Sequence, residues 1–280
     1  ALVACVVGQV HATPHDVTNT ILMSWGVKSD GTTPRIVTST LWEVRFPRLV
    51  IALAVGAGLG CAGALLQGIF ANPLAEPSII GVSSGGAVFA SGLLAIASLA
   101  GVERSYGFLK WGTALAAFIG ALLTTLLVYS LSRVQGKTVV VNLILVGVAI
   151  NAMAGGFVTL FSFIGGTMAQ SQVVFWQLGS LAGAGWSSAV ITLIITVIGI
   201  VIACLCAPKM DLLALGENQA RHLGVNVERF RLCVIILVAA LVGVGVAFAG
   251  VIAFVGLIVP HAIRLIIGPQ HKWLLPTSAF

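Results

Sequence analysis

The sequence predicts an all-α fold, a polytopic helical membrane protein, because the chain is very apolar and its apolar stretches are long. Of the 280 residues, 59% are hydrophobic and only 8% are charged, whereas soluble domains carry about 25% charged residues. The mean hydropathy is +1.11. A bilayer span needs about 20 predominantly apolar residues, and several stretches reach that length. The ~10-residue alternating segments of a transmembrane barrel do not occur in the sequence.

Hydropathy divides the chain into about eight spans or parts of spans. A remnant ends near Val10, and a last span opens near Trp273. The segments between them are Leu49–Phe70, Ile79–Val102, Trp111–Leu131, Val139–Ile164, Ser188–Cys206, Leu232–Gly250 and Ile252–Ile267. The segment from Ile79 is interrupted early by "SSGG", which predicts a shorter regular helix. Because the outermost segments are incomplete, the sequence predicts a single transmembrane domain over residues 1–280, truncated at both ends.

Basic residues are concentrated in alternate short loops, which predicts the orientation in the membrane. One set of loops carries Arg133, Lys137, Lys209, Arg221, Arg229, Arg231, Arg264 and Lys272. The short loops of the other set carry only Arg104 and Lys110, and its long loop Gln9–Arg48 carries Lys28 among other basic residues. Because cytoplasmic loops are enriched in Lys and Arg, the first set is placed in the cytoplasm. A multi-pass membrane protein in this orientation is the resulting prediction.

A short internal repeat relates two glycine-rich spans. "VGAGLGCAG" (Val55–Gly63) matches "VGVGVAFAG" (Val242–Gly250) at Val, Gly and Ala positions, and the same offset aligns Pro73 with Pro260. The first span runs inward and the second runs outward in the predicted topology. The two halves are therefore predicted to form an inverted repeat, a plan found in transporters.

The sequence argues against several classes of function. It contains no H-E-x-x-H, G-x-S-x-G or P-loop signature, and its predicted spans hold almost none of the ionisable residues that ion-driven pumps need. All five cysteines lie in apolar stretches without a CxxC pair, so we interpret them as packing residues and predict no metal site. The net charge of +6 fits the positive-inside bias better than nucleic-acid binding. Energy for any transport would have to come from elsewhere.

Two polar segments are candidates for contact with other proteins. The inside segment "PKMDLLALGENQARHLGVNVERFR" (Pro208–Arg231) predicts two short helices broken at Gly224, and it is either a solvated connector or a docking elbow. Its residues Leu212, Leu215, Ala220 and Leu223 are predicted to share one face, with Glu217 and Arg221 as an i,i+4 pair. Outside, "LWEVRFPR" (Leu41–Arg48) places Arg45 and Arg48 beside the membrane. These two cations either anchor to headgroups or meet an acidic partner surface.

The motifs, taken in order, resemble one protein family. "LWEVRFPR", "AGALLQGIFANPLAEPSIIGVSSGGA", "LALGENQARHLG" and "GVIAFVGLIVPHAIR" are similar to the FecCD-type permease subunit of bacterial ABC importers, from about His15 to Phe280. The resemblance implies about ten spans per subunit, a permease homodimer or a dimer with a close paralogue, two cytoplasmic ABC ATPase subunits and an external substrate-binding protein. It implies a permease, not an enzyme, that moves a ferric siderophore, haem or cobalamin across the inner membrane. ATP and Mg would bind to the partner ATPase, and this chain would bind no cofactor.

The resemblance also implies roles for particular residues. Arg45 and Arg48 match the pair that meets acidic residues of the binding protein. The cytoplasmic coupling elbow lies within residues 207–231, and its ATPase-coupling residues are Leu213, Gly216, Glu217, Ala220, Arg221 and Gly224. The cytoplasmic gate region between two spans consists of Lys137, Thr138, Val140, Val141 and Asn142. A structural motif near the inner mouth, without a catalytic role, consists of Asn72, Pro73, Glu76, Pro77 and Gly81.

Two other interpretations stay open at this point. An ion-coupled or facilitative carrier without an ATPase would carry ionisable groups within the membrane. The second interpretation is a membrane scaffold or membrane enzyme that does not transport. An enzyme would need a set of catalytic side chains, which the sequence does not show. For the substrate, the family resemblance favours a ferric siderophore, then haem, then cobalamin.

Overall fold

The structure is a computed structural model that describes Val6 and residues 10–26, 33–101 and 106–280. Most of the predicted remnant span that ends near Val10 lies outside the described residues. Two basic residues that were assigned to outer loops, Lys28 and Arg104, also lie outside them.

The described chain is almost wholly helical. Its helices are α1 (Pro14–Ser24), α2 (Arg35–Thr40), α3 (Phe46–Ile69), α4 (Val82–Leu99), α5 (Tyr106–Leu131), α6 (Val140–Ile164), α7 (Gly166–Gln177), α8 (Trp186–Ala214), α9 (Glu217–His222), α10 (Val227–Ala249), α11 (Val255–Ile267) and α12 (His271–Ala279). A π-helical turn, Leu41–Arg45, joins α2 to α3, and a 3₁₀ helix, Pro77–Ile80, precedes α4. Strands β1 (Arg133–Val134) and β2 (Lys137–Thr138) form an antiparallel hairpin between α5 and α6.

Among the described residues, 6 helical segments are long and apolar enough to cross a membrane, which confirms the polytopic prediction. The first is Arg35–Ile69, a continuous segment made of α2, the π-helical turn and α3. The others are α4, Leu109–Leu131 of α5, α6, α8 and α10. The predicted span Ile252–Ile267 is wrong in extent, because α11 begins only at Val255 and has 13 residues. At 1.5 Å per residue it extends about 20 Å, less than the ~30 Å thickness of the hydrocarbon core.

Helices α3 and α10 form the centre of the bundle, and both are more deeply buried than the other spans. α3 packs against α8, α10, α11 and α12, and α10 also packs against α5. α3 and α10 are antiparallel, since a Cβ at Gly58 would lie 3.4 Å from the Leu241 carbonyl oxygen and a Cβ at Gly245 would lie 3.2 Å from Val55. Small residues thus let helices approach closely within the membrane.

The local structure differs between the two segments of the predicted repeat. Gly63 lies inside α3, whereas Gly250 follows the end of α10 with a φ of 72°. Similarly, Pro73 lies in a turn, whereas Pro260 lies inside α11. A Cβ at Gly250 would overlap the Trp176 carbonyl oxygen, so tertiary packing sets the chain direction there. The relation of the two halves as an inverted repeat stays a prediction.

The helix break near "SSGG" falls earlier than predicted. Ser83, Ser84, Gly85 and Gly86 all lie within α4, so that part of the prediction is wrong. The break is at Gly81, whose φ of 82° separates the 3₁₀ helix from α4. Only glycine adopts this left-handed conformation at no steric cost, and the glycine at the junction therefore sets where the helix starts.

Candidate functional site

The candidate docking and coupling residues lie at opposite ends of the bundle. At one end, Trp186 Nε1 donates a 2.8 Å hydrogen bond to the Trp42 carbonyl oxygen, which joins the starts of α8 and α3. At the other end, Gly68 of α3 lies against Met210 of α8, so close that a Cβ at Gly68 would overlap the Met210 side chain. The ends of the same two helices are therefore neighbours. We call the first the arginine end and the second the elbow end. This separation agrees with the predicted topology.

The elbow is shorter than predicted and contains one helix. α8 continues through Pro208 to Ala214, so the proline removes one helical hydrogen bond without ending the helix. α9 then stands between Gly216, with a φ of 115°, and Gly224, with a φ of 85°. The predicted break at Gly224 is confirmed. The prediction of two short helices is wrong, because the part before Gly224 is divided between the end of α8 and the short helix α9, and the part after it begins the long helix α10.

The predicted common apolar face of the elbow is divided in the structure. Ala220 is fully buried and Leu212 is partly buried. Leu215 and Leu223 are 65% and 62% exposed. The positive φ at Gly216 turns the chain, so Leu215 does not follow the periodicity of α9. Two leucines are therefore presented outward at the ends of a short polar helix.

Charged residues link the elbow to the rest of the bundle. The predicted i,i+4 pair is present, with Arg221 Nη2 3.6 Å from Glu217 Oε2. Glu217 also pairs with Arg231, whose Nη2 lies 2.6 Å from Oε1. From the sequence, Arg231 was predicted only as a loop charge, and no role was predicted for Glu228. The i,i+3 spacing of Glu228 and Arg231 was the available signal that they act together.

The predicted gate residues lie together where the hairpin leads into α6. Lys137 is exposed in β2, Thr138 is buried, and Val141 in the first turn of α6 is 64% exposed. Val140 and Asn142 are half-buried. The hairpin itself was not predicted. Its signal is the pair Gln135 and Gly136, which take φ values of 49° and 79° in the turn, a conformation typical of tight hairpins.

The structural motif forms a compact turn at the elbow end, between α3 and α4. Asn72 Oδ1 accepts a 2.9 Å hydrogen bond from the Leu74 N–H, and Pro77 occupies the first turn of the 3₁₀ helix, where a missing N–H costs little. Within the motif, the side chain of Glu76 reaches a neighbouring helix. Glu76 Oε1 accepts a 2.9 Å hydrogen bond from the N–H of Phe254, the residue that precedes α11.

Glu76 therefore does more than the sequence predicted. It was predicted only as a member of the structural motif, and its carboxylate caps the short helix α11. An anion at a helix N-terminus is stabilised by the helix dipole and by the unpaired N–H groups. Phe254 has a φ of 67°, an uncommon conformation for a residue with a side chain, and the hydrogen bond helps to hold it.

Asn151 of α6 anchors the same motif, a role that the sequence did not reveal. Its Nδ2 donates a 3.0 Å hydrogen bond to the Ser78 carbonyl oxygen, and its Oδ1 accepts a 2.6 Å hydrogen bond from Ser84. A cleft of about 480 Å³ opens beside these groups, and Thr159 and Gln177 also line it. This polar cleft runs along an otherwise apolar helix.

The two arginines differ in their surroundings at the arginine end. Arg45 is half-buried and donates hydrogen bonds to the carbonyl oxygens of Val6, at 3.3 Å, and of Val10. Arg48 is exposed and donates a 3.0 Å hydrogen bond to the Ala182 carbonyl oxygen. Arg48 is therefore the more accessible cation.

A second polar contact at the elbow end joins α8 to α12. Asp211 Oδ1 accepts hydrogen bonds from the backbone N–H (2.9 Å) and from the Nδ1 (2.7 Å) of His271, which is buried. Burial lowers the pKa of His271, although Asp211 partly opposes this shift. The described residues contain no group of three or more His, Cys, Asp or Glu side chains placed to hold a metal ion.

The FecCD transport family matches the chain over residues 1–280. The chain belongs to this family. It is 37% identical to the hemin transport system permease protein of Yersinia pestis, over 85% of this chain and 70% of that protein. It is 39% identical to the cobalamin import system permease protein of Halobacterium salinarum, over 84% of this chain and 61% of that protein. An inward-facing structure of a metal-chelate type ABC transporter aligns with a TM-score of 0.76 and 32% identity, over 95% of this chain and 83% of that one.

As a member of the FecCD family, the chain is a permease subunit of an ABC importer and a multi-pass protein of the inner membrane. The family consists of transport subunits, and the ATPase is a separate subunit. This assignment excludes the alternative of a carrier that works without an ATPase. The chain spans 61% of the length of the Halobacterium relative.

Proposed function

We propose that this permease moves a metal chelate, namely a ferric siderophore, haem or cobalamin, inward across the membrane. The chemistry of its relatives supports this class, since they are named for hemin, for cobalamin and for metal chelates. The complete importer would contain two permease subunits, identical or closely related. Two ATPase subunits would dock at the elbow end, and a substrate-binding protein would dock at the arginine end. ATP and Mg would be bound by the ATPase subunits.

The observation that carries the proposal is the elbow surface, which we define as Leu215, α9 and Leu223. It presents two exposed leucines beside exposed charges of both signs at one end of a bundle of membrane spans. Exposed apolar side chains ringed by polar ones are typical of protein interfaces. Gly216 and Gly224 fix the direction in which α9 leaves the bundle. Leu213 and Ala220 are buried and pack the elbow against the core of the bundle.

The mechanism follows from these positions and involves no chemistry on the permease. ATP binding brings the ATPase subunits together and displaces the elbow surface. Because packed helices move largely as rigid bodies, the displacement rocks the spans between outward-open and inward-open states. The substrate enters at the arginine end, passes the polar cleft beside Asn151 and leaves past Lys137–Asn142.

Replacing Leu215 and Leu223 together by aspartate is expected to weaken ATPase docking. The two leucines would lose their apolar contact with the partner and a carboxylate would be buried in its place, which should weaken affinity about tenfold or more, that is, by about 1.4 kcal/mol or more. The measurement is co-purification of the ATPase subunits with the permease in detergent. Leu178→Asp is the matched control, because Leu178 is 73% exposed at the arginine end. Undiminished co-purification of the double variant would refute docking at the elbow surface.

Replacing Arg45 and Arg48 together by glutamate is expected to weaken association of the binding protein and to reduce its dependence on salt. Charge pairs between docking surfaces raise the association rate and are screened by salt. Arg48→Glu alone should account for most of the effect, because Arg48 is the exposed member. The measurement is the association rate with the permease–ATPase complex from about 50 to 500 mM salt.

The control for this experiment is Arg133→Glu, which reverses an exposed charge at the elbow end. An unchanged association rate in the double arginine variant would rule out the docking role. Titrating the binding protein with a ferric siderophore, with haem and with cobalamin then identifies the substrate among the three.

A further inference from the structure

The first turn of α10 holds a carboxylate that contacts three segments of the chain. Glu228 Oε2 accepts hydrogen bonds from the backbone N–H (3.1 Å) and the hydroxyl (2.7 Å) of Thr138 in β2. Its Oε1 lies 3.5 Å from Arg231 Nη1 in α10 and 3.9 Å from Arg221 Nη2 in α9. One side chain thus joins the hairpin, the elbow surface and a central span.

Arg231 is the buried partner in this cluster. Its side chain is 2% exposed, and its Nη2 lies 2.6 Å from Oε1 of Glu217, the first residue of α9. A buried guanidinium is very costly unless it is paired, so Glu217 and Glu228 compensate the same charge. Arg221 has a 41% exposed side chain, and its ion pairs are screened by solvent. Only the guanidinium is buried on the α9 side of this cluster, because the Glu217 side chain is 46% exposed, whereas Glu228 is 20% exposed. The pairs of Arg231 with Glu217 and with Glu228 together link α9 to α10.

The hairpin has few other attachments to this end of the bundle. Residues 133–137 are exposed, and Thr138 is the buried residue of β2. Tyr129, near the end of α5, donates a 3.4 Å hydrogen bond to the carbonyl oxygen of the same Glu228. Thr138 of the hairpin and Tyr129 of α5 thus both bond to Glu228.

We propose that Glu228 and Arg231 are positioning residues that transmit movement of α9 to β2 and to the start of α6. The inference rests on the proposed docking of an ATPase at the elbow surface, and it adds the route from there to the gate region. When α9 is displaced, Glu217 carries the Arg231 guanidinium with it. The Arg231–Glu228 pair follows, because a half-broken buried ion pair is strongly unfavourable. Glu228 then moves Thr138, and with it the first turn of α6.

The test uses the assembled permease–ATPase complex and a chemical probe of the gate region. A Val141→Cys variant places a thiol at an exposed position of α6, and its reaction with N-ethylmaleimide is followed by mass spectrometry of that peptide. The rate is compared between the nucleotide-free complex and the complex trapped with ADP and vanadate. Thr138→Val and Glu228→Gln are each added to this background, with Thr138→Ser as the matched control that keeps the hydroxyl.

The labelling rate of the Val141→Cys protein is expected to change on nucleotide trapping. In Thr138→Val and Glu228→Gln the effect of nucleotide trapping on the labelling rate should be about tenfold smaller. Thr138→Ser should show the same effect as the Val141→Cys protein. The two substitutions combined should have no more effect than one, because they interrupt the same route at successive contacts: Glu228→Gln removes the charge that pairs with Arg231, and Thr138→Val removes the hydroxyl that bonds Glu228. A merely structural role would lower the yield of all three variants without altering the ratio of labelling rates.

Co-purification of the ATPase separates the possible failures. If the ATPase does not co-purify with the unmodified permease, docking at the elbow surface is wrong and the transmission route is wrong with it. If the ATPase co-purifies and the ratio of labelling rates in Thr138→Val and Glu228→Gln equals that of the Val141→Cys protein, only the transmission route is overturned.

Discussion

Gly63→Ala is expected to prevent the close packing of α11 on α3. A Cβ at Gly63 would overlap the Gly256 carbonyl oxygen and lie 2.9 Å from the Gly256 Cα. Backbone atoms cannot rotate away as a side chain can, so the helices would have to separate. Overpacking of this kind costs about 1–3 kcal/mol and occasionally more, which outweighs the ~1 kcal/mol gain in helix propensity from glycine to alanine. The measurement is thermal unfolding of the purified protein in detergent, together with its transport activity.

Gly56→Ala is the matched control in the same helix. A Cβ at Gly56 would have no atom within 4 Å, so only the gain in helix propensity remains and the stability should be unchanged or slightly higher. Equal stability of the two variants would show that α3 and α11 are not in backbone contact at Gly63.

Gly147→Ala is expected to detach the structural motif from α6. A Cβ at Gly147 would overlap the Ile79 carbonyl oxygen and lie 3.0 Å from its carbonyl carbon. The 3₁₀ helix would be pushed outward, and the hydrogen bond from Asn151 to Ser78, one turn further along α6, would be lost as well. Overpacking and the lost hydrogen bond together should cost about 2–4 kcal/mol. Unfolding in detergent and transport by the reconstituted importer measure the two consequences.

Gly156→Ala provides the comparison within α6, since a Cβ there would also have no atom within 4 Å of it. Its stability in detergent should match that of the unsubstituted protein. A Gly147→Ala variant as stable as Gly156→Ala would contradict the contact between the motif and α6.

The structural motif owes its importance to its position between α6 and α11. Ile79 lies against Gly147 of α6, and Pro77 lies against the start of α11, 3.1 Å from where a Cβ of Gly256 would be. Glu76 caps α11 through Phe254. A short helix that begins within the bundle needs partners for its first N–H groups, because lipid offers none. The motif supplies one of them and contacts both α6 and α11.

The sequence by itself determined that most of the chain lies in a lipid bilayer. It also determined the approximate positions of most spans and the family. Hydropathy places spans well because unsatisfied backbone groups are excluded from lipid, so a long apolar stretch has to be helical. The break at Gly224 and the Glu217–Arg221 pair were also predictable, since both depend on residues close in sequence. The single long helix α8 was not, because a proline in a membrane helix ends it only when packing does not support it.

Only the tertiary structure decided which residues meet across long separations in the chain. Glu76 with Phe254, Asn151 with Ser78, and Thr138 with Glu228 are pairs that no local pattern encodes. Each joins a polar group left unpaired at a helix end or turn to a partner brought close by helix packing, and the cost of burying an unpaired polar group selects such pairs. The sequence therefore determined the spans and the class of transporter. The three-dimensional packing decided that Glu228 contacts both Thr138 of the hairpin and Arg221 of the elbow surface.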